Sequence, residues 1–168
     1  MKWMPYCLLK KSWRHLSKSF FIDPGSSKCG YVIFQDDVLW DGGKVDNETM
    51  TTMIYTHKPS LGVLELPKTY RANPYMDLTL IATGRLLEAL DRVSARVVKI
   101  ERRDVLKILF GCVPSDGKSG RNNDKEVYEL MNQEYPKAWH ILGPWTSKDN
   151  DDWQALGLRE AHKRSFDK

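Results

Sequence analysis

Two apolar runs near the start of the chain, SFFID and GYVIFQ, restrict the possible folds more than any other segment. Both runs are rich in β-branched and aromatic residues, and the intervening PGSSKC contains the Pro-Gly pair typical of a turn. The pattern predicts a β-hairpin, followed by VLWDGG as a third short strand. Asp23 ends the first run, directly before the turn, so the hairpin carries one carboxylate at a strand tip.

The rest of the chain alternates between helical and strand patterns, which predicts an α/β fold: a mixed β-sheet flanked by helices on both faces. We expect a helix from Asn47 to about HKP, a buried strand in LGVLELP that ends near Glu65, and a long amphipathic helix over about 75–92. Further along, the patterns predict a strand in ARVVKIE, a short helix in RRDVLKILFG, and helices in NNDKEVYELMNQEYP and SKDNDDWQALGLREAHKR.

Composition narrows the class of protein. The 168 residues, 41% of them hydrophobic, suit one domain with one sizeable core. The apolar runs are far shorter than the roughly 20 residues of a membrane span, and lysines and arginines interrupt the N-terminal stretch, so we expect no membrane segment, no signal peptide and a cytoplasmic protein. Three cysteines without a CxxC pair and four scattered histidines argue against a disulfide framework or a zinc site.

Positive charge is concentrated at the start of the chain. Residues 1–18 contain five basic residues and no acid, and three aromatic residues lie among them: Lys2, Lys10, Lys11, Arg14 and Lys18, with Trp3, Tyr6 and Trp13. We interpret 1–18 as a basic extension and 19–168 as the domain itself. The extension suits either contact with nucleic acid or a solvated tail. A second basic stretch over 96–107 also contains acids, and we predict that it forms a solvated face.

Carboxylates recur at the predicted element ends. Asp23 and Glu65 end strands, and Asp149 and Asp152 are three residues apart on one face of the last helix, with Asp151 about 100° away from Asp152. Together the four would form a cluster of hard oxygen ligands suited to Mg²⁺ or Mn²⁺. Taken separately, Asp23 is also a plausible turn residue, and acids in a first helical turn also complement the helix dipole.

In order and spacing, these motifs resemble the RuvC-type Holliday-junction resolvases of the ribonuclease H-like superfamily. FIDPGSSKCGYVIF resembles the family's first strand and turn, VLELP its second motif with a catalytic Glu, and DNDDWQAL its closing acidic helix. DKEVYELM resembles the preceding helix, with Lys125 at the basic position near the scissile phosphate. Trp153 replaces a usually small residue, and Asp151 is a competing ligand.

The resemblance implies a ribonuclease H-like endodeoxyribonuclease, of bacterial or phage origin, that nicks four-way or branched DNA and leaves 5′-phosphate and 3′-hydroxyl ends. It implies two Mg²⁺ ions per site, with Mn²⁺ as a possible substitute, and a homodimer in which the 75–92 helix either forms the interface or packs on its own sheet. The implied metal ligands are Asp23, Glu65, Asp149 and Asp152. The candidate DNA contacts are Lys68, Tyr70, Arg71, Lys118 and Arg121.

Other functions fit parts of the sequence. The same fold also serves nucleases that cut RNA·DNA hybrids or general branched DNA, and a noncatalytic junction-binding protein would share the basic residues. The DPGSS turn also resembles a phosphate loop of actin-like and Hsp70-like ATPases, but 168 residues are too few for their two large domains. GCVPSDGKS misses a P-loop by one residue, because five positions separate Gly111 from Gly117 where four are required.

Overall fold

The computed structural model describes residues 17–67, 74–112, 122–146 and 150–166. Within these ranges the chain forms five strands and six helices. The strands are β1 (Lys18–Pro24), β2 (Lys28–Gln35), β3 (Val38–Asp46), β4 (Leu61–Leu66) and β5 (Arg96–Glu101). The helices are α1 (Asn47–His57), α2 (Pro74–Arg92), α3 (Arg102–Phe110), α4 (Asn122–Glu134), α5 (Trp139–Leu142) and α6 (Asp151–Phe166).

The strands form one mixed sheet in the order β3-β2-β1-β4-β5. The first three strands are antiparallel, whereas β4 runs parallel to both β1 and β5. Because strand side chains alternate between faces, β1 contributes Phe21 to a core shared with α3, α4 and α6, and Phe20 and Ile22 to a second core shared with α1 and α2. Helices therefore cover both faces, and the predicted α/β fold class is confirmed.

Local signals explain the start of α1 and the end of α3. Asp46 caps α1, since its carboxylate accepts hydrogen bonds from the backbone N–H and the hydroxyl of Thr49 at 2.8 and 2.7 Å. Gly111 ends α3 in a left-handed conformation, with φ 76°, as glycine readily does. The short helix α5 was not predicted, and α6 begins at Asp151, four residues after the start of the segment predicted as helical.

The two halves of the long helix α2 differ in their exposure to solvent. Its C-terminal half packs on the sheet through Leu86, Ala89 and Leu90, all buried. Its N-terminal half leaves a row of apolar side chains on the surface: Tyr75, Leu78 and Ile81 are 73%, 51% and 53% exposed. None of the helices in the described ranges combines the length and apolar character that crossing a bilayer requires.

Candidate active site

Asp23 and Glu65 lie side by side at the ends of two neighbouring parallel strands. Ile22 of β1 pairs with Leu64 of β4, and Asp23 and Glu65 are the next residues of these strands. Since Phe21 and Val63, two residues earlier on each strand, face the core shared with α6, the period of two places both carboxylates on that face. The two acids that the sequence places at strand ends therefore point towards the final helix.

Glycine at position 30 lets the start of α6 reach this edge of the sheet. Gly30 of β2 pairs with Asp23 on one side and with Lys44 of β3 on the other. A methyl group on Gly30 would lie 2.2 Å from the backbone carbonyl of Asp151, so the first turn of α6 rests directly on the strand. Lys44 forms an ion pair with Asp151, its Nζ lying 2.7 Å from Oδ2. The helix start is thus fixed beside Asp23.

Arg102, the first residue of α3, forms ion pairs with two of the carboxylates, those of Glu65 and Asp124. Its guanidinium lies 3.3 Å from Oε2 of Glu65 and 2.8 Å from Oδ1 of Asp124 in α4. It also donates to the side-chain carbonyl of Gln154, whose amide in turn donates to the backbone carbonyl of Asp124 at 3.3 Å. Only 16% of the Arg102 side chain is exposed. One buried cation therefore connects β4, α4 and α6.

The electrostatics of Asp23 reflect crowded negative charge. Burial raises the pKa of Asp23 well above its ordinary value, and the charges of Glu65, Asp151 and Asp124 raise it further, while Arg102 opposes them. Burial also raises the pKa of Asp124. Burial alone would lower the pKa of Arg102, but Glu65, Asp23 and Asp124 raise it. Four carboxylates from four elements thus act on one another at this edge of the sheet.

Comparison with known proteins identifies the architecture. No family model and no curated protein matches the sequence. The structure of RuvC from Thermus thermophilus matches 89% of this chain and 95% of its own, with a TM-score of 0.62 and 18% identity. The same protein in complex with a Holliday junction substrate matches 89% and 94%, with a TM-score of 0.64 and 17% identity. This chain has a RuvC-like fold.

The RuvC-like fold accommodates the predicted site residues in different ways. Asp23 and Glu65 converge, as described. Asp152 accepts a hydrogen bond from the backbone N–H of Trp153 at 2.8 Å, in the first turn of α6. Lys125 is exposed on α4, next to Asp124 in the chain, with its Nζ 3.5 Å from Glu129. Outside the described residues lie Asp149 and the candidate DNA contacts Lys68, Tyr70, Arg71, Lys118 and Arg121, so their assignments stay predictions.

Sequence reasoning missed two cations and one acid of this candidate site. For Arg102, the prediction of a solvated basic face was wrong, because three partners hold its guanidinium inside the protein. The available signal was its position directly after an apolar strand, the same logic that identified Asp23 and Glu65. Asp124 and Lys44 carried no such signal, since only the packing of α4 and the strand register bring them to the site.

The oxygen atoms of this candidate site are of the type that binds a hard divalent cation. Carboxylate oxygens are the ligands that Mg²⁺ and Mn²⁺ prefer, and a cation among Asp23, Glu65 and Asp151 would relieve the repulsion that raises the pKa of Asp23. In the described part of the chain, however, no three carboxylate, thiol or imidazole groups already lie close enough to share an ion. Asp151 and Glu65 are instead ion-paired with Lys44 and Arg102.

Replacing Gly30 tests the contact between strand and helix. We expect Gly30→Ala to lower the free energy of unfolding by roughly 1–3 kcal/mol, because the new methyl group must displace the backbone of Asp151. Urea denaturation measures the change. Gly84→Ala is the matched control. Apart from the backbone of its own helix, no atom would lie within 4 Å of the added methyl group. This variant should therefore be as stable as wild type or more stable by up to about 1 kcal/mol, because alanine favours a helix over glycine. Equal stability of wild type and Gly30→Ala would contradict the close contact.

Proposed function

We propose that this protein is a divalent-metal-dependent endodeoxyribonuclease that nicks four-way junctions and related branched DNA. The observation that carries the proposal is the convergence of Asp23, Glu65 and Asp151, from three separate elements, at one edge of the sheet. The fold supports it, because the protein of similar structure, Thermus thermophilus RuvC, is known in complex with a Holliday junction substrate. Neither feature alone points to a substrate; together they favour phosphodiester hydrolysis on DNA.

In this proposal the carboxylates bind the metal, and a basic residue stabilises the negative charge of the phosphate. Asp23 and Glu65 would be ligands, and the acids of residues 149–152, Asp149, Asp151 and Asp152, would complete the set. A divalent ion held by these residues would supply Lewis-acid stabilisation of charge on oxygen during hydrolysis, and the expected products carry 5′-phosphate and 3′-hydroxyl ends. Lys125, one residue from Asp124, would stabilise the charge that develops on the phosphate in the transition state.

The proposed DNA contacts lie close in sequence to elements that carry site residues. Lys68, Tyr70 and Arg71 follow β4 within six residues of Glu65, and Lys118 and Arg121 directly precede α4, which carries Asp124. Lysine and arginine in these segments would pair with backbone phosphates, and Tyr70 would stack on an unpaired base. Such contacts favour a branched substrate, where bases at the crossover are open.

The direct test is incubation of the purified protein with a labelled four-way junction, with and without Mg²⁺. We expect paired nicks that require Mg²⁺ or Mn²⁺. Flap, linear duplex and RNA·DNA hybrid substrates are tested in parallel to measure substrate selectivity. Faster cutting of the hybrid than of the junction would identify the protein as a nuclease for RNA·DNA hybrids. Tight junction binding with no product in either metal would instead identify a noncatalytic junction-binding protein.

We also propose that the protein acts as a homodimer through the exposed apolar row on α2, because symmetric nicking of a junction requires two sites related by a two-fold axis. Leu78→Glu with Ile81→Glu should weaken dimerisation at least about 100-fold, since closing the interface would bury two unpaired charges. Sedimentation velocity measures the change. Val38→Glu, at an apolar β3 position 67% exposed, is the control and should leave the dimer intact. A monomeric wild type would contradict this assembly.

A further inference from the structure

The short helix α5 presents aromatic and apolar side chains to solvent. Trp139 and Ile141 are 52% and 38% exposed, and His140 between them is exposed as well. The rings of Trp139 and His140 lie against each other, with their centroids 3.8 Å apart. Single apolar side chains on a surface are common, but these three residues are contiguous. We call Trp139, His140 and Ile141 the α5 patch.

The residues on either side of the α5 patch hold it on the domain. Ala138 is buried in the core shared with α6, and a methyl group on Gly42 of β3 would collide with the side chain of Leu142. Further along, the ring of Trp145 stacks on that of Tyr128 in α4, with centroids 5.6 Å apart. Residues 138 and 142 lie on the same side of a helical turn, so the three residues between them face outwards.

The α5 patch lies on the face of the sheet that carries the candidate active site. Gly42, on which α5 packs, and Lys44 are two residues apart on β3, so they face the same side and are separated by about 7 Å of strand. Lys44 forms the ion pair with Asp151 at the start of α6. DNA bound at the candidate site would therefore have the α5 patch beside it.

The charge around the α5 patch favours a polyanion as its partner. Residues 135–146 include Lys137 and His140 and contain no aspartate or glutamate. Asp41, an acid in this part of β3, is directed to the opposite face, where it accepts a hydrogen bond from the Tyr31 hydroxyl at 3.2 Å. Aromatic side chains next to basic residues are typical of surfaces that stack on bases and pair with phosphates.

We propose that the α5 patch is a further DNA-binding surface, on which Trp139 stacks on an unpaired base and Lys137 pairs with a neighbouring phosphate. The inference rests on the proposed function, because it assigns another contact with the same DNA. An unpaired base is the fitting occupant, since an indole stacks on the π-face of any base, whereas the bases of a duplex already stack on one another.

DNA binding in the presence of a chelator, which prevents metal-dependent cleavage, tests this surface. The probes are a labelled single-stranded oligo-dT and a duplex of the same length, and fluorescence anisotropy measures the dissociation constants. We expect Trp139→Ala to weaken oligo-dT binding about 5- to 100-fold, which corresponds to the loss of one stacked base. Duplex binding should stay nearly unchanged. Trp139→Phe should keep most of the oligo-dT affinity, because phenylalanine also stacks.

Trp40→Ala is the matched control. Trp40 is 46% exposed, but its ring packs edge-on against His57 of α1, the helix that covers the other face of the sheet. This variant should bind oligo-dT as wild type does. Thermal melting checks that both alanine variants are folded. Wild-type affinity in folded Trp139→Ala would overturn the inference. So would a loss of self-association without a loss of DNA affinity, which would identify the α5 patch as a contact between copies of the chain.

The outcomes separate this inference from the proposed function. If Trp139→Ala weakens oligo-dT binding but wild type cuts no junction with Mg²⁺ or Mn²⁺, the DNA-binding surface stands and the nuclease is rejected. If wild type cuts junctions and Trp139→Ala binds oligo-dT normally, the nuclease stands and the inference fails. If wild type binds neither DNA and cuts no junction, both fail.

Discussion

Asp23→Asn should abolish nicking of four-way junctions while leaving junction binding largely unchanged. Asp23 lies beside Glu65 in the sheet, and the charges of Glu65 and Asp151 act on it, so the substitution would remove a proposed metal ligand. Losing a metal ligand forfeits several kcal/mol of transition-state stabilisation, and about 1.4 kcal/mol corresponds to a tenfold change, so we expect the rate to fall by roughly 10³-fold or more. Single-turnover cleavage and gel-shift binding measure the two effects separately.

The same substitution should make the metal-free protein more stable at neutral pH. The pKa of Asp23 is raised in the folded state, so the folded protein binds more protons than the unfolded chain once the pH exceeds the ordinary value of about 3.9. Folding stability contributed by this residue therefore falls as pH rises towards the folded pKa. Asn carries no charge, so its advantage is present at pH 7 and disappears near pH 4.

Urea denaturation at the two pH values, in the presence of a chelator, checks this dependence. The control is Asp91→Asn, at an exposed position on α2, which should change the free energy of unfolding little at either pH. Two results would contradict the assignment of Asp23: nicking by Asp23→Asn at the wild-type rate, or a loss of stability at pH 7 without metal.

Arg102→Met should be the most destabilising substitution near the site, costing about 3–5 kcal/mol. Breaking a buried ion pair by removing one partner leaves the other charge without compensation, and here Glu65 and Asp124 both lose their guanidinium. Neutralising those partners too, in the variant Arg102→Met/Glu65→Gln/Asp124→Asn, should recover much of the loss, because no unpaired buried charge then remains.

Chemical denaturation of both variants measures these changes. The matched control is Arg103→Met, which removes one positive charge from the exposed neighbouring position and should stay within about 0.5 kcal/mol of wild type. If Arg102→Met were as stable as Arg103→Met, the guanidinium would not be the buried link between β4, α4 and α6. If the triple variant were no more stable than Arg102→Met, the cost would lie in lost packing.

The sequence predicted the parts of the site that follow from strand position. Asp23 and Glu65 each end an apolar run before Pro or Pro-Gly, and parallel neighbours in a sheet bring such ends together. Arg102 also follows a strand, yet it lies in a run of mixed charges whose composition is typical of solvent-facing residues. Nothing local distinguishes Arg102 from Arg103; the difference arises because α3 starts with one side chain turned towards Glu65 and the next turned outwards.

The start of the final helix was harder to predict. Three acids lie among the four residues from 149 to 152, and helical spacing alone favoured Asp149 with Asp152. The helix begins at Asp151, where its backbone meets Gly30, a residue about 120 positions earlier in the chain. That boundary depends on a tertiary contact, which periodicity and capping preferences do not encode. The apolar residues of the N-terminal half of α2 are visible in the sequence, but periodicity does not show that Leu78 and Ile81 stay on the surface.

The contact between the start of α6 and Gly30 also affects how the protein tolerates amino-acid substitutions. The backbone of Gly30 lies directly against the backbone of Asp151. Side chains can change rotamer and so alter the distance between two elements, whereas a backbone contact offers no such adjustment when neighbouring side chains are replaced. We therefore expect volume-conserving exchanges of interior side chains to leave the distance between the helix start and the strand largely unchanged. Such an arrangement would let sequences diverge widely and still keep the acids in register.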